Sequence, residues 1–173
     1  MNTIAIKNYP IASPGLRDKN FYLWSAVAVL GNLALPQLCH LATLGGPTWL
    51  PIYFCTLLIA ARYGWKVGAL TAVLSPVLNY AIFAMPAAEA LPVIIVKSLF
   101  IAALAPLLVR RFGVSLLALA LTIAGYQILG GVFETLTVSA GAALADTQLG
   151  WPGLLTQLFG GWLALRLWGK LSQ

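Results

Sequence analysis

The sequence predicts an all-α polytopic membrane protein, a bundle of six transmembrane helices with both termini cytoplasmic. Three observations predict it. The 173 residues are 61% hydrophobic and only 8% charged, against about 25% charged in a soluble domain. Mean hydropathy is +0.91. The apolar residues come in long runs, and a run of about 18 or more is long enough to cross a hydrocarbon core. These features exclude a soluble globule, a disordered tail and a nucleic-acid binder. The formal charge of +6 is spread over segment ends, the pattern of topology determinants rather than of a polyanion site.

Residues 1–20 are mixed and polar and lack the apolar core of a signal peptide, so they read as a retained cytoplasmic segment. Residues 21–170 form one domain with no internal repeat. The first span covers 21–44, with Pro36 placed to end or kink it, and closes at Gly45-Gly46-Pro47. The second, 48–62, is too short to cross alone, so part of the preceding loop must lie near membrane depth. The third covers 65–85 and contains Pro76; the fourth covers 91–109 and contains Pro106. The fifth covers 114–140 and the sixth 151–168. Short linkers make consecutive helices antiparallel neighbours.

Lys7, Arg17, Lys19, Arg62, Lys66, Arg110, Arg111, Arg166 and Lys170 all fall on one side of this six-span reading. The other side receives Glu89 and Asp146 and no cation in its loops. Cytoplasmic loops favour Lys and Arg. The loops at 41–48, 86–91 and 141–150 are therefore outside.

The remaining cation, Lys97, lies in the fourth span near its outer end. Glu134 lies at similar depth in the fifth. An ionisable group inside a span is a functional-site hypothesis by default. Three readings stand: the pair neutralise each other, Lys97 snorkels outward alone, or they bracket a ligand, Lys97 favouring an anionic group and Glu134 a cationic or donor group. Gln127, Gly130, Gly131 and Glu134 share one helical face. Asn79 in the third span and Gln157 in the sixth are ligand contacts or interhelical glue. His40, Trp49 and Tyr53 come from the first outer loop and second span; Trp49 also fits an interface-belt anchor. The asymmetry is the main functional signal. Asn79, Lys97, Gln127, Glu134 and Gln157 crowd the outer half, where a cavity with apolar walls and a few polar contacts suits a small molecule.

The inner half is rich in small residues, among them Ala26, Ala28, Gly68 and Ala72. They pack helices within the bundle or offer a smooth face to another membrane protein. Enzyme chemistry is not visible. There is one histidine, no HExxH, no GxSxG and no P-loop. With Asp146 read as a loop residue, no acidic pair remains to bind a metal, and the expectation is no cofactor. Cys39 and Cys55 form no CxxC and read as buried apolar residues.

The stretch 45–86, GGPTWLPIYFCTLLIAARYGWKVGALTAVLSPVLNYAIFAMP, carries a resemblance. A short second span runs into Arg62-Tyr63-Gly64-Trp65-Lys66, and a small-residue third span follows with Gly68, Ala72 and Ser75. In this stretch, in size and in its six spans, the chain resembles the substrate-binding S component of energy-coupling factor vitamin transporters. The resemblance implies a non-catalytic subunit that captures a vitamin-like micronutrient from outside. It implies a pocket using Trp49, Tyr53, Lys97, Gln127, Glu134 and Gln157. It also implies docking through Ala26, Ala28, Gly68 and Ala72 to a transmembrane coupling subunit driven by two ATPases. Ala26 is followed at four by Leu30 and Ala28 by Asn32, a departure from the family's small-xxx-small pattern that leaves a solitary carrier open. A scaffold subunit of a membrane complex is the alternative from another class, and an intramembrane enzyme a more distant one.

Overall fold

The computed structural model describes residues 13–41 and 46–171, and these contain no strand. The helices are α1 (Lys19–Leu41), α2 (Gly46–Trp49), α3 (Pro51–Tyr63), α4 (Trp65–Phe83), α5 (Leu91–Phe112), α6 (Leu116–Thr137), α7 (Ala140–Leu155) and α8 (Gly161–Leu171). A π-helical turn, Thr156–Gly160, joins α7 to α8. Four helices, α1, α4, α5 and α6, are long and apolar enough to cross a membrane. α3 has 13 residues, about 20 Å at 1.5 Å per residue, short of the hydrocarbon thickness as its sequence indicates.

The distribution of polarity is that of a membrane bundle. Leu23, Leu30, Leu107, Leu117, Ile128 and Leu136 are exposed, while Asn32, Ser75, Asn79, Lys97 and Glu134 are buried. Hydrocarbon offers a polar group no partner, so such groups turn inward and bond to one another. The buried hydroxyls of Ser25, Thr71 and Thr122 each donate to a carbonyl one turn back on their own helix, at 2.8, 3.0 and 2.8 Å.

α3 lies at the centre, against α1, α4 and α5, and α5 packs on both α4 and α6. Leu57, Ala60, Ile101, Ala105, Leu119 and Leu165 belong to the resulting core. One residue, Gly64, turns the chain from α3 into α4 at φ 90°, a conformation that favours glycine. Beyond it, a Cβ on Gly68 would sit 2.6 Å from Cβ of Ala60, so these two helices touch nearly backbone to backbone.

The helices meet at two unlike ends. At one, Trp24 stacks on Tyr63 at 4.7 Å and Trp168 lies 5.3 Å from Trp24. Arg110 donates to Ser13 at 3.0 Å there. This is the basic end. At the other end, His40, the 84–90 turn and Asp146 surround a cavity.

Several sequence expectations need correction. Of the two expectations for Pro36, an end to the helix is overturned: α1 runs through it to Leu41. The expected outer loop at 41–48 is partly helical, since α2 begins at Gly46; residues 42–45 lie outside the described residues. Of the expected segment 1–20, residues 1–12 also lie outside them. The fifth span is divided: α6 stops at Thr137, and Ser139 caps a new helix by accepting from the Ala142 amide at 3.1 Å. The expected loop at 141–150 is therefore helix. The cap and the alanine-rich run behind it favour helix, and Pro152 sits inside α7 rather than starting a span.

Candidate binding site

A cavity of about 590 Å³ opens between α1, α3, α4, α5, α6 and α7. Its walls are mainly apolar, with Leu50, Ile52, Val93 and Ile94 among them. Among the described residues its polar lining is His40, Tyr53, Asn79, Glu89, Lys97, Glu134 and Asp146. Size and character fit a small-molecule site, which lies in the range of about 300–1,000 Å³ with few polar groups in an apolar wall.

Lys97 anchors the floor. Its Nζ donates to Glu134 Oε2 and to Asp146 Oδ2, each at 2.7 Å. The three residues come from α5, α6 and α7 and lock those helices together. Gly130 on α6 provides the room: a Cβ there would overlap Cγ of Lys97. Gly130 and Glu134, four apart, thus present one face of α6 to the lysine.

Asn79 forms the α4 side of the wall. Its Nδ2 donates to the Asn32 carbonyl at 2.9 Å and to the Ser75 carbonyl at 3.2 Å. The first bond has a definite cause. In a helix the Asn32 carbonyl would accept from the amide of residue 36, but Pro36 has none. Asn79 supplies the missing donor. The Asn32 side chain extends the clasp, donating to Thr56 Oγ1 at 2.9 Å and Ser75 Oγ at 3.1 Å while accepting from the Cys55 amide at 3.2 Å. Asn79 Oδ1 is left buried with no hydrogen-bond partner.

On the α3 side Tyr53 lines the cavity, with Tyr126 packed behind it. The Tyr53 ring lies 5.6 Å from Tyr126, whose hydroxyl donates to Gln157 Oε1 at 2.9 Å. Leu50, between α2 and α3, holds a left-handed conformation with φ 46°. Its side chain is buried close to Gly150 and Gly153 of α7. That contact holds the first turn of α3, and Tyr53 with it, against the cavity.

Of the residues singled out from sequence, the cavity brings together His40, Tyr53, Asn79, Lys97 and Glu134. Trp49, Gln127 and Gln157 are not among its lining. Trp49 is pressed by its backbone on Gly153, Gln157 serves Tyr126 as an interhelical acceptor, and both amide atoms of Gln127 are buried without a partner. The small-residue set does not form one face. Ala28, Gly68 and Ala72 are buried inside the bundle, and only Ala26 is exposed. Their size is used for helix packing here.

Two site residues escape a sequence reading. Asp146, taken as a loop residue, lies on α7 and reaches Lys97, so two carboxylates do converge, with an ammonium between them. Asn32 falls in an apolar stretch of α1 and is silent until its partners are known. The fold and cavity define a helical membrane bundle with a charged internal site. No family model matches the chain, and no curated protein or solved structure matches it.

Proposed function

We propose that this protein is a membrane-embedded, non-catalytic binding subunit for uptake of a small water-soluble micronutrient. It works in the plasma membrane of a bacterium. The observation that carries the reading is the cavity of about 590 Å³ with Lys97, Glu134 and Asp146 on its floor. A scaffold could lock its helices with the same ion cluster but has no use for a void of this size beside it, and ionisable groups inside a span are a functional-site signal by default. The cavity opens at the end away from the basic helix termini, which on the positive-inside rule is the outer face. Ligand enters there and leaves on the inner side, either with an ATPase-driven coupling complex or with the protein acting alone. Exposed Ala26 is the part of the small-residue set available to such a complex.

The test is direct. Purify the full chain in mild detergent from cells grown in rich medium, denature it, and identify released compounds by mass spectrometry. The expected result is one small polar compound near stoichiometry, reduced in Glu134→Ala. Release of no compound, with a protein copurifying in fixed ratio, supports a scaffold subunit instead.

A further inference from the structure

We infer that the cavity selects an organic cation, a compound with a positively charged N–H group on an apolar body. This rests on the receptor reading above and specifies its ligand. The first argument is charge. Among the described lining residues Lys97 is the one lysine or arginine, and its ammonium already serves two carboxylates at 2.7 Å. Glu89 adds a third carboxylate to the same lining. The described lining thus holds three acidic side chains against one lysine and one histidine, and its apolar walls strengthen the field of that imbalance by keeping the local dielectric low. An anion entering here meets a lysine whose charge is spent and acids that repel it. A cation meets the surplus carboxylate charge.

The second argument is independent of charge. Asn79 lines the cavity, is 1% exposed, and keeps Oδ1 without a partner. Its orientation is settled by chemistry: Nδ2 faces two carbonyl oxygens, Asn32 and Ser75, which accept only. The unpaired atom is therefore an acceptor, buried at the wall where Asn79 lines the cavity, and a ligand N–H that reached it would satisfy it. A bare metal ion fits less well. Among the described residues no three His, Cys, Asp or Glu side chains are gathered to hold one, and the aliphatic walls are matched by carbon.

Four probes of similar size separate the terms: phenethylammonium, phenethyltrimethylammonium, 3-phenylpropanol and 3-phenylpropionate. Each is added at millimolar concentration to the full chain in detergent and binding is read from the shift in melting temperature. Phenethylammonium gives the largest shift, the trimethyl compound less, and 3-phenylpropionate none. Glu89→Gln, at an exposed position, weakens apparent affinity for phenethylammonium by about threefold to tenfold and leaves 3-phenylpropanol unchanged. Asn79→Leu loses the preference for the N–H cation over the trimethyl compound, while its response to 3-phenylpropanol, the measure of a folded site, persists. Equal shifts with the carboxylate and the ammonium overturn the cation assignment, as does no response to the ammonium. The receptor reading is judged separately by the retained compound: a retained anion removes the cation assignment and leaves a receptor standing.

Discussion

Asp146 on α7 and Glu134 on α6 lie at the same distance, 2.7 Å, from the Lys97 ammonium on α5. Lys97 is buried, so its removal leaves two carboxylates facing each other with no cation between them. Breaking a buried ion cluster from one side costs about 3–5 kcal/mol, whereas neutral replacement of every member is often tolerated. Lys97→Met is therefore expected to lower the melting temperature sharply. The triple variant Lys97→Met/Glu134→Gln/Asp146→Asn recovers most of that loss. Melting curves of the two purified variants check this.

The bond from Asn79 to the Asn32 carbonyl exists because Pro36 cannot donate. Asn79→Ala orphans that carbonyl, and an unsatisfied buried acceptor costs about 1–3 kcal/mol. Pro36→Ala restores the helical donor on α1. In the Asn79→Ala background it should recover part of the lost stability, while in the wild-type background it gains much less. A double-mutant cycle measured by thermal melting isolates the coupling.

Gly130 and Gly131 are adjacent on α6 with unlike surroundings. A Cβ on Gly130 overlaps the Lys97 stem, while a Cβ on Gly131 meets nothing within 4 Å. Gly130→Ala is expected to displace Lys97 from its carboxylates and to destabilise by about 1–3 kcal/mol. Gly131→Ala should be neutral or stabilising by up to about 1 kcal/mol, since alanine holds a helix better. Melting temperatures of the two single variants decide between these outcomes.

The long apolar helices were legible because hydrocarbon imposes one requirement, a run of apolar residues. Lys97 and Glu134 were legible for the converse reason: a charge inside such a run stands out. Asp146 was not, because it lies beyond the apolar runs, where polarity reads as loop; only Ser139 ahead of an alanine-rich stretch marks the helix that carries it. Gln127 and Gln157 share the depth of the cavity without lining it. Depth follows from position along a helix, whereas the direction a side chain takes depends on how neighbouring helices are rotated, and apolar surfaces on all sides leave that rotation unmarked. Ala28, Gly68 and Ala72 show the same limit, since a small residue suits a close internal contact as well as an external one.

Gly153 lies where α7 crosses the segment between α2 and α3. A Cβ there would sit 2.5 Å from the Trp49 carbonyl carbon and oxygen and 3.0 Å from Cβ of Leu50. The first obstacle is backbone and cannot swing aside, so the helix or the segment must move. Leu50 is already held at φ 46° by its packing and has little freedom to follow. Gly153→Ala should therefore cost about 1–3 kcal/mol and push the first turn of α3, with Leu50 and Tyr53, away from the cavity. Gly141→Ala on the same helix is the control, because its Cβ meets only Ser139 Oγ, at 3.8 Å. The expected result is a lower melting temperature and less retained compound for Gly153→Ala, with Gly141→Ala like wild type in both. Equal behaviour of the two variants would mean that the α2–α7 contact does not hold the cavity wall in place.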